Sequence, residues 1–217
     1  SPERSWHSDL VERLVWAREW QQAGALPAGT ATQFVVGAAG EHDRDLLSTG
    51  SWLYRELGMR RIYFGAFRPG AGTPLANAAA TPLVRVQRLQ QADWMLRQYG
   101  FGDGELPFDD AGDLPLHLDP KLAWALANPA WFPIELNTAA PDQLLRVPGL
   151  GPLSVARILR LRRINPFREL RHLTSLSSQA ARARDFVTLD GRFFGRPAAE
   201  LARLYAPRPV VDQLALF

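Results

Sequence analysis

No cysteine occurs in the 217 residues. That absence excludes a disulfide framework, a thiolate metal site and a cysteine nucleophile. Histidine is scarce: His7, His42, His117 and His172 stand far apart, with no spacing that would gather metal ligands. No apolar run approaches the roughly 20 residues of a membrane span. The N-terminal Ser1-Pro2-Glu3-Arg4 lacks the apolar core of a signal peptide. A cytoplasmic protein without membrane attachment is the expectation. What remains is a globular composition, 47% hydrophobic and 22% charged, enough for one large or two small domains.

Charge is plentiful but unevenly placed. Residues 1–142 carry 12 basic and 17 acidic side chains, formally −5. Residues 143–217 carry 13 and 5, formally +8, and every base there is Arg. Such asymmetry suggests a basic nucleic-acid-binding module attached to something else. A solvated basic surface in an Arg-rich protein is the plain alternative.

Within the basic part, Leu144-Leu145-Arg146-Val147-Pro148-Gly149-Leu150-Gly151-Pro152 joins two predicted helices. Asn137-Thr138 supply cap residues and Pro141 opens a short run to Arg146. Pro152 is a good first helical residue, with Val155, Ile158, Leu159 and Arg162 following at helical spacing. Two glycines flank one leucine in a turn that needs positive φ. Leu150 then turns inward, and the N–H groups of Gly149, Gly151 and the next helical turn are left open. Free N–H groups at a helix start form an anion site, and Arg157, Arg160, Arg162 and Arg163 follow it. The pattern Leu144, Val147, Gly149, Leu150, Gly151, with Ile158 in the second helix, resembles the helix-hairpin-helix DNA-binding motif. Val155 departs from it, standing where a small residue is usual and widening the helix spacing. The resemblance implies that Pro148, Gly149, Leu150, Gly151, Leu153 and Ser154 hold DNA phosphate, helped by Arg157 and Arg160. Such contacts grip the backbone without reading bases. An ordinary αα-hairpin with a glycine turn is the alternative.

Upstream, an amphipathic helix is predicted over 3–23, with Leu10, Leu14, Ala17 and Trp20 near one face. Thr32-Gln33-Phe34-Val35-Val36 reads as a buried strand, stopping at Gly37-Ala38-Ala39-Gly40-Glu41. A helix from Asp43 runs through Leu57 and closes at Gly58. A second strand follows over 61–67, then the loop Arg68-Pro69-Gly70-Ala71-Gly72-Thr73-Pro74. Another helix spans 83–99, with Val86, Leu89, Ala92, Trp94 and Leu96 as core. This order is that of parallel α/β units, yet two strands do not make a sheet buried on both faces.

Those segments, with Tyr63-Phe64-Gly65-Ala66-Phe67-Arg68-Pro69, Gly72-Thr73-Pro74-Leu75 and the later 119–126 and 132–137, resemble the later part of a radical S-adenosylmethionine barrel. They are similar in particular to DNA modification and repair proteins of that superfamily, whose chains end in a helix-hairpin-helix region. The resemblance implies a partial α/β barrel over 1–103, a linker over 104–118 and an all-α helix-hairpin-helix domain over 119–217, predominantly helical as a whole. It places Gly37, Gly40 and Glu41, with Arg68 and Thr73, near an adenosyl cofactor, as expected for the carboxyl ends of parallel strands. Loop turning by the glycines and helix-dipole stabilisation by Glu41 are the structural alternatives.

One departure is decisive for chemistry. The superfamily's four-iron cluster needs three cysteine thiolates, and this chain has none. Alone it is expected to hold no cofactor and not to cleave S-adenosylmethionine. Both groups are implied only if a cysteine-bearing N-terminal half or partner chain supplies the rest. A part of a longer enzyme, half of a split one and a remnant kept for DNA binding all fit.

The stretch 100–118, rich in Gly, Pro and Asp, reads as a solvated linker and domain boundary. Asp119-Pro120 caps a helix to about Ala127, and Trp124, Trp131 and Phe132 are expected to pack it on the hairpin. The first hairpin covers about 138–162. Phe167, Leu170, Leu173, Leu176, Ala180, Ala181 and Phe186 suggest a degenerate second one over about 166–189. Residues 207–217 read as an irregular arm. A protein-interaction module using the hairpins and an open sheet edge is the rival functional reading.

Overall fold

A computed structural model describes Ser5 and residues 7–207. The chain divides into two units, Ser1–Arg97 with Phe101–Leu116, and Gln98–Gly100 with His117–Phe217. The arm expected over 207–217 lies, from Arg208 on, outside the described residues.

Parallel pairing organises the first unit. Helix α1 (Glu12–Gln22) leads to strand β1 (Ala31–Val36), α2 (Asp43–Leu57), β2 (Arg61–Ala66) and α3 (Leu83–Gln98). The two strands pair in register, Phe34 beside Phe64, and both run out at Val36 and Ala66. Strand alternation splits their side chains between two faces. Ile62, Phe64 and Val36 are buried, and Ile62 approaches Gly50 of α2. Leu47, Leu53 and Leu57 of α2 and Val86, Leu89, Ala92 and Met95 of α3 complete this core. Each such Leu, Ile, Val, Phe or Met side chain stabilises the fold by about 1.5–3 kcal/mol.

The opposite face is bare. Gln33, Val35 and Tyr63 are exposed, and α1 buries none of its residues. Leu10, Trp16 and Trp20 likewise face solvent. No closed barrel is formed by the described residues; the chain is mixed α/β and predominantly helical. In α3, Met95 takes the core place expected of Trp94, because 86, 89, 92 and 95 form one stripe and 94 falls beside it.

The expected linker 104–118 is instead largely folded onto the first unit, up to Leu116. Phe101, Leu106 and Leu114 are buried. Its acidic residues work as local acceptors. Asp113 accepts the Asp43 N–H at 3.0 Å and meets His42 Nδ1 at 3.2 Å. Asp43 in turn accepts the Leu114 N–H at 3.0 Å and a charge-assisted bond from Arg85 at 2.7 Å. Burial raises the Asp43 pKa even against these donors.

The second unit contains α4 (Pro120–Ala127), β3 (Ile134–Glu135), α5 (Pro141–Arg146), α6 (Pro152–Leu161), α7 (Leu170–Thr174), β4 (Val187–Leu189), β5 (Arg192–Phe193) and α8 (Ala198–Leu204). Asp119 caps α4 by accepting the Leu122 N–H at 3.0 Å, with Pro120 in the first turn. The expectation of an all-α domain is corrected here. Strands β3, β4 and β5 form a small sheet, parallel then antiparallel. Glu135 ties it together, accepting from Thr188 Oγ1 at 2.8 Å and from the N–H groups of Asn137, Asp190 and Gly191. Burial opposes ionisation of this carboxyl, but those donors hold its pKa below the usual range.

Candidate nucleic-acid interface

Helices α5 and α6 form the predicted hairpin, with Leu144, Val147, Leu150, Val155 and Ile158 all buried between them and their surroundings. Gly149 has φ +86° and needs to be glycine twice over. A Cβ there would overlap the carbonyl oxygen of Gln179 and stand 3.1 Å from Arg182 Cβ. Gly151 corrects the idea that both glycines supply positive φ. Its φ is −106°, an extended helix cap, and a Cβ there would meet only Tyr99 Oη at 3.5 Å.

Helix α6 has no side-chain cap. Pro152 has no N–H to give. Val155 N–H bonds back to the Gly151 carbonyl at 2.9 Å, and Leu150 N–H to Val147 at 3.1 Å. Among the described residues, the N–H groups of Gly149, Gly151, Leu153 and Ser154 have no acceptor. Four donors at one helix start are the complement of an anion. Pro148 and Ser154 are buried, Leu150 forms the inward pin, and Leu153 projects its side chain, 80% exposed.

The arginines of this region divide by task. Arg157 donates to the Leu176 carbonyl at 2.7 Å and so ties α6 to the following segment. Arg162 donates to the carbonyls of Leu136 and Ala139 at 3.1 and 2.7 Å. Arg182 pairs with Asp119 at 2.6 Å, and Arg196 with Asp185 at 2.7 Å. Arg160 and Arg163 are exposed, and no partner for either is found among the described residues. The formal +8 therefore overstates the basic surface offered to a ligand. Arg146 stacks 5.1 and 5.2 Å from the Trp124 and Trp131 rings, fixing α5 to α4.

The segment after α6 is only partly the expected second hairpin. Helix α7 is one short turn, and Gln179–Asp185 is a 3-10 helix rather than an α-helix. It nonetheless meets the first hairpin at Gln179, against Gly149, and at the Leu176 carbonyl held by Arg157, and Leu173, Leu176, Ala180 and Ala183 are all buried. The second unit also has an open apolar cleft of about 320 Å³ lined by Phe132, Phe186, Phe193 and Leu201, with Asp185 and Arg196 as its polar members. None of the hairpin residues lines it.

One residue of the site has no counterpart in the motif. Lys121, in the first turn of α4, is 8% exposed and donates from Nζ to the Leu150 carbonyl at 2.5 Å. The same ammonium sits 4.2 Å from the centre of the Tyr99 ring, a cation–π distance. Burial pushes its pKa down to about 7, with Asp119 opposing and Arg182 adding to that shift. The sequence signal was available: among 25 basic side chains Lys121 is the sole lysine.

In the first unit, Gly37, Gly40 and Glu41 share the loop after β1, and Arg68 and Thr73 lie in the loop after β2, at the same end of the parallel pair. Glu41 closes its own loop, accepting from the Gly37 N–H and, at 3.0 Å, from the Ala39 N–H. Burial works against it, yet those donors and Arg85 lower its pKa. Gly37 has φ +85°, and a Cβ there would strike Thr81 Oγ1. The Thr73 hydroxyl donates to the Gly70 carbonyl at 2.8 Å. Arg68 is exposed. Glu41 and Thr73 satisfy their loops from within, and with no thiolate the residues present do not fit an iron–sulfur cluster. No family model matches the chain, and neither a curated protein nor a solved structure matches it. No helix among the described residues is long and apolar enough to cross a membrane.

Proposed function

We propose that the second unit binds DNA through its helix-hairpin-helix, independently of sequence, as the C-terminal part of a radical S-adenosylmethionine protein of DNA modification or repair. What carries the reading is the set of four open N–H donors at Gly149, Gly151, Leu153 and Ser154 at the start of α6. Exposed Arg160 and Arg163 on the same helix and the turn after it add the cations that a polyanion requires. No catalytic residue is assigned to this chain, and any cluster chemistry belongs to a cysteine-bearing N-terminal half or partner. The bare sheet face of Gln33, Val35 and Tyr63 supports such a complement, since a parallel sheet is normally covered on both sides.

Titration of the full chain against two unrelated 20-base-pair duplexes by fluorescence anisotropy tests this. Equal affinities that fall steeply between 50 and 200 mM salt are expected. Absence of binding at low salt would overturn it. The same bare face favours a second reading, a scaffold that binds protein. That reading expects complexes insensitive to salt and no shift of duplex DNA.

A further inference from the structure

We infer that Lys121 is a positioning residue of the phosphate site, acting from behind it through the Leu150–Gly151 peptide. This rests on the DNA-binding reading above and deepens it. The Leu150–Gly151 bond is trans, so its carbonyl and its N–H point in opposite directions. Lys121 Nζ holds the carbonyl from the buried side. The Gly151 N–H on the other side is one of the four open donors. Ammonium, peptide and phosphate thereby form one chain of aligned hydrogen bonds. Each member polarises the next, and the effect is largest where water is excluded. The path from Nζ to a bound phosphate oxygen is on the order of 8 Å.

The choice of residue supports a role beyond packing. Everywhere else this chain uses arginine, which cannot lose its proton in a protein and carries a bulky planar head. Here it uses its one lysine, a compact cation that can be neutralised. The charged groups around it are few. Asp119, the cap of its own helix, is engaged with Arg182 of the 3-10 segment, and Tyr99 presents its ring face. Arg146 of α5 is turned to Trp124 and Trp131. The turn Pro148–Pro152 has no titratable side chain. A phosphate on Gly151 is therefore a new negative charge on the far end of the lysine's own hydrogen-bonded peptide. It favours the ammonium form, so DNA and a proton bind with positive coupling. With the free amine titrating at about 7, the coupling is felt on the alkaline side of neutrality.

The test uses the full chain and a fluorescein-labelled 20-base-pair duplex, titrated from pH 6 to 9 at fixed ionic strength. Wild-type affinity is expected to fall about tenfold over that range, the effect of a one-unit upward shift of the lysine on DNA binding. In Lys121→Met the fall should vanish. Because the chain has one lysine, ¹³Cε-lysine labelling gives a single NMR signal whose titration midpoint should rise when duplex is added. A flat wild-type profile, an equal fall in Lys121→Met, or a midpoint unmoved by saturating duplex would each overturn the inference. If Lys121→Met does not fold, the wild-type NMR titration decides alone. Binding without lysine dependence sinks only this inference; no binding at any pH sinks the DNA reading and this inference with it.

Discussion

A Cβ on Gly149 has no room, because the carbonyl oxygen of Gln179 already occupies its direction. The hairpin turn and the 3-10 segment after α7 are thus in backbone contact, and that segment acts as a floor for the turn. Gly149→Ala must meet both that overlap and a positive φ of +86°. A left-handed non-glycine residue alone costs on the order of 1 kcal/mol. With the overlap, a loss of about 2–4 kcal/mol is expected, read as a lowered denaturant midpoint. Gly151→Ala should cost under about 1 kcal/mol, since its backbone is extended and its Cβ direction is nearly open. Equal losses at the two glycines would contradict this account of the turn.

Arg160 and Arg162 are two residues apart and should fail in different assays. Arg160→Gln and Arg163→Gln remove exposed cations with no partner among the described residues. Each should leave the melting temperature within error and reduce the salt slope of DNA binding by about 1. Arg162→Gln removes two bonds to the carbonyls that open α5. It should destabilise the fold by about 1–3 kcal/mol. A melting-temperature loss in Arg160→Gln, or none in Arg162→Gln, would reverse these assignments.

The hairpin was legible because glycine, proline and buried apolar spacing are local signals, and Leu144, Val147, Leu150 and Ile158 all fall where their period puts them. The strands of the first unit were legible in position for the same reason, but β1, expected to be buried, buries only Val36. Four features were not. Asp113 sits in a stretch whose composition is that of a solvated linker, yet its carboxylate receives the Asp43 N–H over a sequence distance no window spans. The sheet of β3, β4 and β5 has strands of two or three residues, too short for alternation to register. Lys121 hid in an apolar helical run, where burial of a charge is decided by the fold around it and not by its neighbours in sequence. The sorting of arginines into free and engaged, which shrinks the apparent basic surface, is likewise a tertiary property.

The buried lysine also predicts how stability depends on pH. Its folded pKa is depressed to about 7 from an ordinary value of 10.5 by burial. Between those values the unfolded chain holds more protons at this position than the folded one, so stability rises with pH across the window. The contribution is complete above the ordinary lysine range and is lost as pH falls through 7. The slope from this group is at most about 1.4 kcal/mol per pH unit. Urea denaturation of wild type and Lys121→Met from pH 6.5 to 10 checks it. The wild-type curve should climb relative to that of the variant, because methionine keeps the stem and removes the proton. Saturating duplex should shift the climb to higher pH, since phosphate at Gly151 favours the charged amine. Parallel curves for the two proteins would mean that Lys121 titrates alike in the folded and unfolded chain. The ammonium would then be solvated and could not lend its charge to the hairpin from behind.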